Sequence, residues 1–392
     1  MAIVRQTDHY EPPIRREAEA LARAGLAVEV ILMAGRREGP RRETVGGVEV
    51  SYLRSSLRKS SRLSYATSYA QFFLLATATL TWRHLRRGYQ VIQINTMPDF
   101  LVFAALVPKL LGARVVAFMH EPMPELAETV LGPGLVPRVL AWIEQRVLRF
   151  ADVAFAVTEQ LKARYVERGA DPSRIAVVLN GADPRNRLGA DAARAPLPVA
   201  ADETFTLICH GTVEDRYGQD TIVEAAALLR RDLPDLRVVL VGRGKRVDAL
   251  LGQIDRLGLT EIVRWEGWVS DERLNDLLRG ADAGIVAQKA SPYSHLVHTN
   301  KMVDYWIFGL PVIASRLDAV SALHSDAVLE YYEPGDPADL ARAIRRLHDD
   351  PARRVELARN GRRAHRLTGW SVQEQVYVGV VAGLARETLA PA

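Results

Sequence analysis

The 392-residue chain holds one cysteine, Cys209, inside the apolar run TFTLICHG. No intrachain disulfide can form, and a reducing, cytoplasmic compartment is the expectation. No run approaches the about 18–20 uncharged apolar residues of a spanning helix. The most apolar long segment, 72–82, is too short and carries three threonines. No two aspartates are spaced i, i+2, so there is no Asp-x-Asp metal motif and no metal is expected. Lysine is scarce, 6 against 45 arginines. No charged-then-apolar leader opens the chain, which starts directly in an apolar strand at residues 2–5. No basic helix or aromatic stacking platform accompanies the cations, so nucleic acid is not an expected partner.

What is present is ordinary for a globular protein, 48% hydrophobic and 25% charged residues, at a length that predicts two to three domains. Charge is uneven. Residues 1–182 hold 24 Lys+Arg against 17 Asp+Glu, a net of +7, and residues 183–392 hold 27 against 30, a net of −3. A basic stretch at 54–62 (RSSLRKSSR) precedes an aromatic-rich segment at 65–73. It reads either as a solvated loop before a core helix, or as a basic half lying against an anionic membrane from the cytoplasmic side.

Apolar strands and periodic helices alternate along the whole chain. Strand 2–5, a polar loop, helix 14–24 ending at Gly25, and strand 26–33 make a β–loop–α–β unit, the opening of a parallel doubly wound sheet. Strand 48–53, a long helix at 65–85, and strands 91–94, 114–118, 153–157 and 175–179 continue it, with helices at 140–150 and 158–168. Residues 183–202, rich in Ala, Arg and Pro without a period, read as a linker. Strands at 205–209, 236–241, 263–269, 283–287 and 312–314, separated by helices, then build a second domain of the same α/β class.

Residues 294–315 (SHLVHTNKMVDYWIFGLPVIAS) carry the densest signal. Thr299 or Asn300 predicts an N-cap, Met302, Val303, Trp306 and Ile307 a helical face, and Gly309 with Pro311 a stop. The free amides at the start of such a helix seat a phosphate. Lys301 adds a cation, and Asp304, one turn on, offers a carboxylate to a sugar diol. The alternative is an ordinary helix start with Asp304 as an exposed surface acid.

The pattern Lys-x-x-acid-Tyr-x-x-x-Gly-x-Pro-Val-Ile resembles the second half of the donor-site motif of retaining glycosyltransferase family 4. That resemblance implies a GT-B fold, two Rossmann-like domains facing across a cleft. The family motif is Glu-x7-Glu; Asp304 stands at its second position and Leu296 at its first, with His295 and His298 as polar neighbours. HGTVEDRYG resembles a family variant in which Thr212, after Gly211, replaces the first cation and Arg216 matches the second, gripping the donor diphosphate. Glu266-Gly267-Trp268-Val269 resembles the turn that reads the base, with Trp268 a candidate to lie on it; Trp265 and Trp268 are equally read as packing. Gly242-Arg243-Gly244 reads as a tight turn, with Gly242 a donor-side candidate.

In the first half, His120 ends the strand 114–118 and matches the family histidine that approaches sugar and acceptor. Arg15, in the loop and helix start that the family places near the acceptor, and Glu121 are the acceptor-side candidates. The implied organisation is an acceptor domain 1–182, a linker 183–202, a nucleotide-sugar domain 203–369, and a helix 370–392 crossing back to the first domain. The implied activity is metal-independent transfer, with retention, from a nucleotide sugar (UDP first, GDP second) to a small-molecule or lipid-linked hydroxyl. His120, Arg216 and Asp304 are the catalytic candidates. Gly211, Thr212, Gly242, Trp268, Val269 and the amides of His298, Thr299 and Asn300 with Lys301 complete the donor side. Two further readings stand beside it: a nucleotide-sugar 2-epimerase, and a non-catalytic nucleotide-sugar-binding partner.

Overall fold

The computed structural model describes residues 1–7, 9–35, 40–55, 62–181 and 204–388. The expected linker 183–202 and the basic residues at 56–61 lie outside the described residues. The chain forms two compact units, Met1–Leu179 with Trp370–Ala392, and Asn180–Gly369.

Unit 1 is built on an eight-stranded sheet in the order β3-β4-β2-β1-β5-β6-β7-β8. Its strands are β1 (Ala2–Val4), β2 (Glu29–Met33), β3 (Arg42–Val45), β4 (Val48–Leu53), β5 (Val91–Asn95), β6 (Arg114–Met119), β7 (Val153–Ala156) and β8 (Ile175–Val177). All pair in parallel except β3, which runs antiparallel to β4 at the edge. Strands β1, β2 and β5 are buried throughout, as both-face coverage by helices requires. Those helices are α1 (Pro12–Arg23), α2 (Arg62–Arg87), α3 (Leu106–Leu110), α4 (Met123–Leu131), α5 (Leu135–Phe150) and α6 (Glu159–Glu167), with a 3-10 turn over Asp99–Ala105. Helix α1 opens on Pro12 and Pro13, whose missing amides cost nothing in a first turn, and buries Ile14, Ala18 and Leu21 on one face.

Several elements of unit 1 differ from the sequence expectation, among them the short helix α3. β3 was not expected: its alternately exposed residues carry no apolar run, and it exists by pairing with β4. Helix α4, which opens on Met123-Pro124, was not expected either, and α5 starts at Leu135 instead of 140.

Unit 2 carries a six-stranded, all-parallel sheet in the order β11-β10-β9-β12-β13-β14. Its strands are β9 (Phe205–His210), β10 (Leu236–Val241), β11 (Val263–Trp265), β12 (Ala283–Val286), β13 (Val312–Ser315) and β14 (Glu330–Tyr332), the last beyond the five expected. Numbered within the unit this is the order 3-2-1-4-5-6, with the topological switch between β9 and β12. The helices are α7 (Gln219–Leu229), α8 (Val247–Arg256), α9 (Asp271–Arg279), α10 (Asn300–Ile307), α11 (Asp318–Ser321), α12 (Pro337–Asp349) and α13 (Pro351–Thr368). Alternation along β9 feeds two cores: Leu207 and Cys209 join one side with Ile222, Leu340 and Ile344, and Ile208 joins the other with Trp306 and Val312.

The last helix, α14 (Trp370–Glu387), belongs to unit 1. The Tyr377 hydroxyl donates to Gln93 on β5 at 2.8 Å. Arg23 of α1 pairs with Glu374 at 2.7 Å, and the Arg16 guanidinium lies 4.6 Å from the Trp370 ring.

Candidate functional site

In an open parallel sheet, ligands bind beyond the carboxyl ends of the strands at the switch point. In unit 2 that place is where β9 ends in His210, Gly211 and Thr212. Here two backbones touch. A Cβ on Gly242, after β10, would stand 1.8 Å from the Gly211 carbonyl oxygen, and one on Gly211 would stand 2.6 Å from Lys301 Cε. Both glycines also have positive φ, +138° and +116°, so a side chain at either position strains the backbone. The Gly242 amide donates to Gly267 O at 2.7 Å, and the Gln219 side chain donates to Thr212 O at 2.8 Å, which fixes both loops. Between them lies an open cavity of about 310 Å³ lined by His210, Gly211, Thr212, Gly242, Trp268 and Val269.

Helix α10 starts beside this loop. Thr299 is its N-cap, Oγ1 accepting from the Lys301 amide at 3.4 Å, and Asn300 is its first residue. Lys301 Nζ sits 4.3 Å from the centre of the Tyr217 ring, and the Arg216 guanidinium sits 4.7 Å from the same centre. Burial lowers the Lys301 pKa, and the nearby Arg216 charge lowers it further. Arg216 is ion-paired with Glu214. No carboxylate pairs with Lys301 among the described residues. Two cations against one carboxylate leave the spot electropositive.

Asp304 is 9% exposed, so the surface-acid reading does not hold. Its Oδ2 lies 3.6 Å from His210 Nε2. The Tyr305 hydroxyl accepts from the His210 amide and donates to Ile285 O, both at 3.3 Å, which ties α10 to β9 and β12. Leu296, where the family motif has its first carboxylate, is buried at the end of a 3-10 turn (Ser294–Leu296). His295 turns to Asp318, 3.1 Å away.

His298 is buried against a partner that sequence reasoning missed, His324, with the two Nε2 atoms 3.1 Å apart. Burial pushes the His298 pKa down to about 4. Burial, with the His298 ring beside it, pushes His324 down to about 3. Both rings are neutral and share one N–H···N bond, while His298 Nδ1 is buried with no hydrogen-bond partner among the described residues. A lone histidine 26 positions further on, outside any motif, gave no signal. The two tryptophans separate: Trp265 Nε1 donates to Gly242 O at 3.1 Å and packs, whereas Trp268 is 69% exposed at the cavity rim.

In unit 1, His120 follows β6, stacked on Phe118 with ring centres 4.3 Å apart, its amide donating to Thr96 Oγ1 at 3.3 Å. Its Nε2 is 3.9 Å from Oε1 of Glu17 on α1. Both atoms are buried without a hydrogen-bond partner among the described residues. They are too far apart to bond directly and near enough for one hydroxyl to bridge. Burial raises the Glu17 pKa to about 7, although Asn95 and Gln93 donate to its other oxygen at 2.6 and 3.0 Å. Burial holds His120 well below the usual histidine range, and the Arg5 and Arg16 charges add to this. Of the acceptor-side candidates, Arg15 is exposed and bonded to Glu19 at 2.7 Å, and Glu121 is half-buried. The structure therefore places Glu17, not Arg15, beside His120.

Among the described residues no group of three or more His, Cys, Asp or Glu is placed to hold a metal. Among the described residues no helix is long and apolar enough to cross a membrane.

The sequence matches the model of a glycosyl transferase 4-like domain over residues 11–181 and that of glycosyl transferases group 1 over residues 204–350. It is 29% identical to a D-inositol 3-phosphate glycosyltransferase of Thermomonospora curvata, over 95% of this chain and 89% of the relative. It is 32% identical to LpsD, a lipopolysaccharide core biosynthesis glycosyltransferase of Rhizobium meliloti, over 45% of this chain and 48% of the relative. The fold is similar to that of Anabaena HepE, solved in complex with UDP and glucose, with a TM-score of 0.71 at 18% identity over 97% and 99% of the two chains. It is also similar to the sucrose-phosphate synthase of Thermosynechococcus elongatus, with a TM-score of 0.75 at 21% identity over the same shares. Two parallel-sheet units, the glycines and cations of the switch-point loop, and two family models covering most of the chain lead to one conclusion: the chain belongs to glycosyltransferase family 4 and has the GT-B fold.

Proposed function

We propose that the chain transfers a sugar from a nucleotide-sugar donor, UDP-linked in preference to GDP-linked, to a hydroxyl acceptor with retention of anomeric configuration and without a metal. The observation that carries this is the pair of cations, Lys301 of the first turn of α10 and Arg216 of the loop after β9, 4.3 and 4.7 Å from the centre of the Tyr217 ring. With the amides of residues 298–300 they would neutralise the charge that develops on the leaving diphosphate. Asp304 accepts from the ribose diol, and Trp268 lies against the base.

In the transfer the anomeric carbon–oxygen bond to the diphosphate breaks and a bond to the acceptor oxygen forms on the same face. The acceptor proton passes to the departing phosphate oxygen, so no protein nucleophile is used. His120 and Glu17 bind a hydroxyl of acceptor or sugar through their two free atoms. The acceptor is a small molecule or a lipid-linked glycan precursor, and in the second case the chain works from the cytoplasmic face of a membrane. UDP is favoured because HepE, of the same fold, was solved with UDP and with UDP-glucose.

Calorimetry with UDP-glucose and GDP-mannose in the presence of EDTA tests the donor side. Binding of one of them, weakened about 10- to 100-fold in Arg216→Ala by loss of a charge-assisted bond, is expected. No binding of either donor would sink the assignment. Leu296, standing where the family motif has a carboxylate, favours a second reading, a donor-binding partner without turnover. Release of UDP on addition of acceptor, with the anomeric configuration of the product read by NMR, separates the two.

A further inference from the structure

We infer that the exposed face of the α4–α5 hairpin in unit 1 docks on an anionic lipid bilayer. Large apolar side chains crowd its tip and continue along α5: Leu131 is 64% exposed, Leu135 76% and Trp142 60%. Positions 135, 139, 142 and 146 fall on one helical face, so Leu135, Val139, Trp142 and Arg146 form a continuous stripe. The Arg146 guanidinium lies 4.9 Å from the Trp142 ring, an arrangement that keeps cation and indole together at an interface.

Charge decides what the face meets. Arg138, Arg146 and Arg149 are exposed along α5, and the one carboxylate in that helix, Glu144, is buried and bonded to Arg168 at 3.1 Å. The exposed face of α5 therefore carries three cations and no anion, against one half-buried carboxylate on α4, Glu128. A second copy presenting the same face would bring three arginines against three, which like-charge repulsion opposes. A bilayer rich in anionic headgroups complements the arginines and takes up the apolar tip, the behaviour of an amphipathic helix lying in the interface plane. The inference deepens the membrane contact proposed above for a lipid-linked acceptor, and it is read independently of donor binding.

The test is co-sedimentation of the full chain with vesicles of phosphatidylcholine alone and of phosphatidylcholine mixed with phosphatidylglycerol. Binding to the mixed vesicles, weakened by salt, is expected, with each Arg→Gln change at 138, 146 and 149 lowering the partition constant about fivefold. The double variant Leu135→Ser/Trp142→Ser loses binding at low salt as well. These side chains are exposed, so the variants should fold, and unchanged UDP-glucose calorimetry on them confirms this and reports the donor reading separately. Absence of vesicle binding, or equal binding by wild type and variants, overturns the inference. So does self-association that Trp142→Ser abolishes without any affinity for vesicles.

Discussion

The hydrogen bond between His298 and His324 holds the ring that directly precedes the cap of α10, so its loss should reach the donor. In His324→Ala, His298 Nε2 loses its only partner found among the described residues and the ring is free to turn. One buried bond of this kind is worth about 1–2 kcal/mol, so donor affinity should fall about 5- to 30-fold, with partial rescue by His324→Gln, whose amide can still donate. Unchanged calorimetry would show that His324 only fills space. The same pair fixes a pH dependence. Both folded-state pKa values, about 4 and about 3, lie below the unfolded value, so the unfolded chain binds more protons at acid pH. Their stabilisation is full above about pH 6.5 and is lost as pH falls toward 4. Replacing both rings by Gln should flatten that part of the stability–pH curve.

Glu17 works in the opposite direction. Its folded-state pKa, raised to about 7, makes the native state hold a proton that the unfolded state has released. Stability therefore declines as pH rises from about 4.5 to 7 and is level beyond. Glu17→Gln keeps the acceptor for Asn95 and Gln93 and removes the charge. Its thermal stability should exceed that of wild type by a margin growing between pH 5 and 8, to roughly 3 kcal/mol. A margin independent of pH would refute the raised pKa. The loop and helix start 11–17 was legible as a region, with Arg15 singled out within it. That Glu17 is the residue facing His120 was not, because which helix residues face inward depends on how α1 packs against β5.

At the scale of elements, α13 reaches α10 through a glycine. A Cβ on Gly361 would stand 2.2 Å from Trp306 Cδ1. Alanine improves helix propensity by about 1 kcal/mol, but the rigid, fully buried indole has nowhere to move, and overpacking costs about 1–3 kcal/mol. The clash wins: Gly361→Ala should lower stability by roughly 1 kcal/mol and weaken donor binding through α10, both measurable in one thermal-shift series with and without UDP. A variant more stable than wild type would show that α13 shifts freely.

Elements with their own signal were legible. β10 and the region of α10 follow from the apolar run at 238–241 and from the Thr299 cap with the Gly309 stop. The elements that escaped have no such signal. β3 is half solvated and β14 is three residues long; both are held by the strands beside them. The loop after β9 was readable as a candidate because its motif residues lie close in sequence, whereas the contacts of His298 with His324 and of His120 with Glu17 join distant segments.

At the scale of the molecule, unit 1 is assembled from both ends of the chain. Removing residues 370–392 strips Gln93 of the Tyr377 hydroxyl and uncovers Phe118 and Phe155, whose rings lie 6.2 and 5.3 Å from Tyr377. Hydrogen exchange on the truncated chain should show protection lost within Met1–Leu179 and kept within Asn180–Gly369, with UDP binding retained. Collapse of protection in both units would show that they do not fold as separate bodies.

This split of unit 1 sets an order of events on the ribosome. Residues 1–179 emerge first, yet the helix that covers β5 and β6 follows roughly 190 residues later, a delay of roughly 10–40 s at about 5–20 residues per second. Unit 2 is continuous and complete before that helix arrives. The half made first is thus completed only after unit 2, and until residues 370–392 emerge its uncovered aromatic face is what a chaperone would find.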